Sequence, residues 1–78
     1  MNRISQIAIN DEGFLFDPLT GESFTVNQTG LEIIKGLKES KSEEEIIESL
    51  TENFEIDEET AKRDFTDFIE KLRSYKIL

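Results

Sequence analysis

An apolar stripe near the end of the chain constrains the fold more than any other feature. Its members recur at spacings of four, three, one and three residues, as on one face of an α-helix: Ala61, Phe65, Phe68, Ile69 and Leu72. Asp57 can cap this helix, because its carboxylate can accept backbone N–H groups of the first turn. Basic residues near the other end complement the helix dipole. We therefore predict a helix over residues 58–75, after which the last two residues fold back onto the core.

Two shorter amphipathic segments precede this helix. Asn27 is a favourable N-cap for the first, and Ser42 and Glu45 form an S-x-x-E capping box for the second. Apolar residues recur at helical spacing after each cap. Gly36 in the first segment marks either a close contact between helices or a tolerated glycine. The two predicted helices cover residues 28–39 and 43–53.

The first third of the chain has the composition of short strands joined by turns. A Pro and a Gly between Asp17 and Gly21 favour a tight turn. We predict three antiparallel strands, over residues 5–10, 13–17 and 22–26. Three strands followed by three helices predict an α+β, winged helix-turn-helix-like fold, with residues 1–78 forming a single domain.

Composition excludes most kinds of catalytic site. The chain of 78 residues has no cysteine and no histidine, which excludes disulfides, thiolate metal sites and imidazole acid–base chemistry. Carboxylates are plentiful, but residues 43–45 and 57–59 fall in first helical turns, where we expect solvated caps. We therefore expect no enzyme activity, no catalytic residue, no metal and no cofactor.

The lack of targeting segments limits the expected location of the protein, and its net charge limits the expected partners. No apolar run has the length of a secretory segment or of a membrane span, so we expect a cytoplasmic protein with no membrane partner. The formal net charge of -9 opposes phosphate backbones and argues against a nucleic-acid partner. The same charge favours a ligand that carries Lys or Arg, with binding that weakens as salt screens the attraction.

The third predicted strand, residues 22–26, is the best functional lead. A strand with one open edge can pair with an incoming peptide. If that edge lies beside the third helix, the two form a trough with backbone groups on one wall and apolar side chains on the other.

Two other interpretations stay open. Three helices on a small sheet also describe a DNA-binding winged helix, although acidic residues at the amino-terminal turns of the third helix would face phosphates there. The open strand edge could instead pair with a second copy of the chain and form a homodimeric scaffold.

An ordered set of residues resembles a known family. Val26, Asn27, Thr29 and Gly30 open the set, and the Ser42 cap follows. A helix then carries the pattern Asp-hydrophobic-x-x-Phe-hydrophobic-x-x-Leu, here Asp64, Phe65, Phe68, Ile69 and Leu72. This set resembles the PqqD family of small peptide chaperones, which typify the recognition element for ribosomally made, post-translationally modified peptides. The likeness runs from Phe14 to Leu78.

The resemblance implies a function and a site. It implies a non-catalytic domain that binds the leader of a precursor peptide by strand addition between the third strand and the third helix. We expect this domain to be a monomer or a weak homodimer. It further implies presentation to a modifying enzyme of the radical S-adenosylmethionine type, in pyrroloquinoline quinone biosynthesis or a related pathway. The expected peptide-binding residues are Glu22, Ser23, Phe24, Thr25 and Val26 on the strand, and Lys62, Asp64, Phe65, Phe68 and Ile69 on the helix.

Overall fold

The computed structural model describes residues 3–78 and contains a three-stranded sheet followed by three helices. The strands are antiparallel and lie in the order β1, β2, β3, so β2 is central. This arrangement confirms the predicted α+β class. The elements are β1 (Ala8–Ile9), β2 (Phe14–Asp17), β3 (Glu22–Thr25), α1 (Gln28–Lys38), α2 (Glu43–Phe54) and α3 (Glu58–Ser74).

The first strand is shorter than the predicted span of residues 5–10. Ile4–Gln6 form a 3-10 turn, after which the Ile7 amide donates to the Ile4 carbonyl at 3.2 Å. Ile4 and Ile7 are both buried, because a three-residue period also places them on one side. The isoleucine spacing therefore reflects a turn followed by a two-residue strand, and the prediction of a longer strand is wrong.

The three helices begin at their predicted caps. The side chain of Asn27 accepts a first-turn amide at 2.8 Å, and that of Asp57 accepts one at 2.7 Å. Ser42 and Glu45 form the complete capping box: the Glu45 carboxylate accepts the Ser42 amide at 2.9 Å, and the Ser42 hydroxyl accepts the Glu45 amide at 3.2 Å. No helix within residues 3–78 is long and apolar enough to cross a membrane.

The core consists of two clusters that meet at α1 and α3. Phe68 and Leu37 touch both clusters, and Ile77 is buried in the first, so the end of the chain does fold back onto the core. The face of the sheet that points away from the core carries Phe14 and Phe16, each about half exposed. The cluster beneath the sheet contains Ile4, Ile7, Leu15, Ile34, Leu72 and Ile77; the cluster between the helices contains Ile33, Ile46, Ile47, Leu50, Ala61 and Phe65.

An ion pair between the partly exposed Arg3 and the buried Asp17 ties the beginning of the described chain to the β2–β3 hairpin and to the chain's end. The guanidinium of Arg3 donates to both carboxylate oxygens of Asp17 at 2.9 Å, and Asp17 is 1% exposed. The same guanidinium donates to the Lys76 carbonyl at 3.0 Å. The backbone amide of Arg3 donates to the Ile77 carbonyl at 2.7 Å. Three segments that are distant in sequence are therefore fixed at one end of the sheet.

Gly36 lies at a close contact between α1 and α2. A Cβ atom at this position would lie 2.6 Å from Cγ1 of Ile46, a buried residue. Overpacking of this kind costs about 1–3 kcal/mol, whereas replacing a helical glycine by alanine gains about 1 kcal/mol. We expect Gly36→Ala to lower the free energy of unfolding by about 1 kcal/mol, measured by urea denaturation.

A double-mutant cycle tests whether the contact with Ile46 causes the loss of stability in Gly36→Ala. Ile46→Ala removes the two Ile46 atoms that a Cβ at residue 36 would approach most closely, at 2.6 and 3.0 Å, so Gly36→Ala should become neutral or stabilising in that background. If Gly36→Ala lowers stability equally in both backgrounds, steric conflict with Ile46 is not the reason for the glycine.

Candidate functional site

The open edge of β3 is the first wall of the candidate site. The Val26 amide donates to the Gly13 carbonyl at 2.9 Å, so the backbone of Val26 points toward β2. Along an antiparallel strand, the backbone N–H and C=O groups of successive residues point alternately toward one neighbouring strand position and the other. The N–H and C=O groups of Ser23 and Thr25 therefore point away from β2. Within residues 3–78 no strand pairs with this edge.

Gly13 holds the start of this edge in place. It has φ of +96°, and a Cβ atom there would lie 2.5 Å from the Val26 carbonyl oxygen. Only glycine fits such a conformation at such a distance. The turn between β1 and β2 therefore fixes the position at which β3 ends and the chain continues into α1.

One side of α3 forms the second wall. Asp64, Phe68, Lys71 and Tyr75 follow at spacings of four, three and four residues, which places them along one side of the helix. A groove separates this side from β3. It is lined by Phe24, Thr25 and Val26 from the strand, Phe68, Lys71, Leu72 and Tyr75 from the helix, and Leu15 and Ile77 at its base.

An aromatic stack closes this groove. The rings of Phe24 and Tyr75 lie 4.3 Å apart between centroids, with an interplanar angle of 23°. The remaining free volume is about 10 Å³. The β3–α3 groove is therefore apolar and almost filled by its own side chains.

A wider pocket continues the groove past the end of β3, at the start of α1. Its free volume is about 230 Å³, and it shares Phe68 and Lys71 with the groove. Gly30 keeps it open, because a Cβ there would lie 2.9 Å from the Phe68 ring. Asp64 and Asp67 stand on its α3 side, so the pocket combines an apolar floor with a charged rim. The remaining lining residues are Asn27, Thr29 and Ile33.

The structure brings together only part of the predicted helix wall. Phe68 and Asp64 lie on the side of α3 that borders the groove or its pocket. Lys62, Phe65 and Ile69 do not. Phe65 is buried and packs with Ile69 in the cluster between the helices, and Lys62 pairs with Glu58 at 3.0 Å beside α2.

The predicted helix wall is divided because the buried stripe on α3 is wide and its two edges face different elements. Phe65 and Ile69 lie on the edge that faces α2, whereas Lys71 and Tyr75 lie on the edge that faces β3. Lys71 and Tyr75 were missed because they flank the stripe instead of belonging to it. Their spacing from Phe68, three and seven residues, is the signal that could have identified them.

The predicted strand residues lie where expected. Glu22, Ser23, Phe24 and Thr25 form β3, and Val26 follows it with one further backbone bond to the turn. Phe24 and Val26 turn their side chains to the core and the groove. Ser23 and Thr25 pair across from Phe16 and Phe14 on the outer face.

One carboxylate of each run at a helix start, Glu45 in α2 and Asp57 before α3, makes a capping hydrogen bond. Hydrogen bonds from Ser42 lower the pKa of the Glu45 carboxyl, and hydrogen bonds from Thr60 lower the pKa of the Asp57 carboxyl. Both groups are thus stabilised in their charged form by backbone amides. Within residues 3–78 no group of three or more acidic side chains is placed to hold a metal ion.

Comparison with known proteins gave one family and two similar structures. Residues 12–78 match the family described as Coenzyme PQQ synthesis protein D (PqqD). Comparison with curated proteins gave no match.

Both similar structures are complexes with leader peptides. One, described as "TbiB1 in Complex with the TbiA(beta) Leader Peptide", has a TM-score of 0.83 and 30% identity and covers 100% of this chain and 94% of that chain. Another, "Lasso peptide synthetase B1 complexed with the leader peptide", has a TM-score of 0.74 and 27% identity and covers 88% of this chain and 82% of that chain. With a family match over most of its length, the chain belongs to the PqqD family.

Proposed function

We propose that the protein is a non-catalytic recognition element that binds the leader of a ribosomally made precursor peptide and presents it to a modifying enzyme. The observation that carries this proposal is the open edge of β3 beside an apolar groove. The two similar proteins, which were solved with leader peptides bound, support it.

Strand addition assigns a role to each wall of the groove. The outward N–H and C=O groups of Ser23 and Thr25 pair with the backbone of the peptide, which adds as a fourth strand. Alternate side chains of an added strand point into the groove, toward Phe24 and Val26 on one side and Phe68 and Lys71 on the other. Backbone pairing contributes affinity, and the side chains of α3 contribute specificity.

The pocket at the start of α1 extends the site along the peptide. Asp64 and Asp67 place negative charge there, close to the single positive charge of Lys71. Together with the net charge of -9, this favours a leader that carries Lys or Arg next to its apolar residues.

Membership of the family supports a proposal for the partner enzyme, and the lack of a secretory or membrane-spanning run in the sequence supports one for the compartment. We propose a modifying enzyme of the radical S-adenosylmethionine type, acting in pyrroloquinoline quinone biosynthesis or a related peptide-modification pathway in the cytoplasm. The domain itself supplies no chemistry in this scheme: it holds the peptide extended at the edge of the sheet while the enzyme acts on the part beyond the leader.

An amide NMR titration of the labelled protein tests the proposal. The probes are synthetic leaders of short precursor peptides encoded beside this chain, together with peptides selected on the protein from a random display library. Amide shifts concentrated on β3 and on the Asp64–Tyr75 side of α3 are expected.

Two results would contradict the proposal. One is the absence of amide shifts with every peptide of both sets. The other is a stable dimer in solution whose interface protects the amides of Ser23 and Thr25, which would indicate that β3 pairs with a second copy of the chain.

A further inference from the structure

We infer that the ring of Tyr75 stands in the place that a large apolar side chain of the bound peptide fills, and that binding displaces this ring from Phe24. Tyr75 thereby determines how strongly the groove binds large side chains. The inference rests on the proposed function, since it concerns how the groove between β3 and α3 admits its ligand.

The groove is too full to accept a side chain as it stands. Its free volume of about 10 Å³ is no more than one water molecule requires. A peptide strand paired with β3 directs alternate side chains into this space. A large side chain can therefore enter only if one of the lining residues moves.

Most of the lining residues are held by the core. Leu15, Leu72 and Ile77 are at most 2% exposed and belong to the cluster beneath the sheet. Phe68 is backed by α1, where a Cβ at Gly30 would lie only 2.9 Å from its ring. Phe24 lies on β3, paired across from Leu15. None of these five can leave the groove without loss of core packing.

Tyr75 is the lining residue whose movement opens the groove, since Lys71, the other exposed lining residue on the helix side, takes no part in the aromatic stack that closes it. It is 39% exposed and is the C-cap of α3, one residue past the last helical turn. The next residue, Lys76, has φ of +61°, so the chain changes direction there. Rotation of the Tyr75 side chain opens the groove and gives up mainly its stack on Phe24.

The chain contains its own reporter for this movement. Tyr75 is the single tyrosine, and there is no tryptophan, so the fluorescence excited at wavelengths beyond the phenylalanine absorption comes from Tyr75 alone. The probe is a peptide selected on the protein from a random display library and free of Tyr and Trp. Its binding is measured independently, by the fluorescence anisotropy of a dye-labelled copy.

We expect the Tyr75 emission to change with the same midpoint as the anisotropy. Binding with unchanged Tyr75 emission and unchanged Tyr75 ring NMR signals would overturn the inference and leave the proposed function standing. If no library peptide binds at all, the proposed function fails and this inference fails with it.

Substitution provides a second test. Tyr75→Ala should bind the peptide about twofold to tenfold more tightly, because the aromatic stack no longer has to be broken. Tyr75→Phe keeps the ring and should bind like the unmodified protein. The gain should disappear for the peptide whose inserted residue is replaced by glycine, since that peptide has no side chain to displace Tyr75.

Weaker binding by Tyr75→Ala would overturn the inference, because it would mean that the Tyr75 ring supports the bound peptide instead of yielding to it. The thermal midpoint of each variant shows whether the fold is retained, which we expect for a residue that is more than one third exposed.

Discussion

Replacing Thr25 by proline is expected to weaken peptide binding at β3 strongly while the sheet stays intact. Proline has no backbone N–H, and the N–H of Thr25 points away from β2, so pairing between β2 and β3 loses no hydrogen bond. An incoming strand would lose one hydrogen bond and would meet the pyrrolidine ring in its place. We expect affinity for a library-selected peptide to fall by at least about tenfold.

Two variants serve as controls for this result. Thr25→Val keeps the N–H and removes the hydroxyl, so it should bind normally. Phe24→Pro removes an N–H that points toward β2 and should lower the thermal midpoint, because proline is tolerated only where the strand faces solvent. If Thr25→Pro keeps both its fold and its full affinity, peptide addition to the β3 edge is rejected.

Replacing Asp17 by asparagine is expected to cause a large loss of stability. The Asp17 carboxylate is buried and accepts hydrogen bonds from the Arg3 guanidinium and from the Leu19 amide. Asparagine has a single acceptor oxygen and leaves the positive charge of Arg3 without its counter-ion. We expect a thermal midpoint lower by several degrees, because the hairpin and both chain segments beside it are released together.

The pH dependence of this loss of stability tests more directly whether the Arg3–Asp17 ion pair stabilises the fold. Hydrogen bonds from Arg3, supported by one from Leu19, lower the pKa of the Asp17 carboxyl to about 2 from its usual 3.8. A group whose pKa is lower in the folded state adds stability above its unfolded pKa and loses it as the pH falls through the folded pKa. The difference in unfolding free energy between the unmodified protein and Asp17→Asn should therefore be constant near neutrality and shrink from about pH 4 toward pH 2.

A matched variant distinguishes this pair from the helix caps. Glu45→Gln changes another carboxyl whose pKa is lowered, but this one is exposed and lies in a helix cap. Its effect on the thermal midpoint should be smaller. If the advantage of Asp17 over asparagine does not change between pH 5 and pH 2, the ion pair does not stabilise the fold in the way its geometry indicates.

Local signals made most of the fold predictable. A helix cap depends on a few adjacent residues, so Asn27, Ser42 and Asp57 identified all three helix starts. The sequence signal for the hairpin turn, a Pro and a Gly a few residues apart, was equally local. The first strand was overestimated because Ile4, Ile7 and Ile9 fit both an alternating strand and a 3-10 turn that leads into a shorter one.

The candidate site was predictable on its strand side and only partly on its helix side. The strand followed from the hairpin, which fixes which edge stays open. The helix wall depends on how α3 lies across the sheet, and that is a tertiary property. Phe65 and Phe68 look equivalent in sequence, yet Phe65 is buried in the cluster between the helices, whereas Phe68 also reaches the groove beside β3. Tyr75 lies past the stripe, and only its spacing of seven residues from Phe68 could have identified it.

The amide of Arg3 and the carbonyl of Ile77 are hydrogen-bonded at 2.7 Å, so the described chain enters and leaves the fold at one place. Units with adjacent ends tolerate circular permutation and insertion into other chains. A permutant that joins these ends by a short linker and opens between α1 and α2, at residues 39–41, keeps every element of the sheet and of α3. The same adjacency lets the unit be carried inside a larger polypeptide, as a module whose two connections leave side by side.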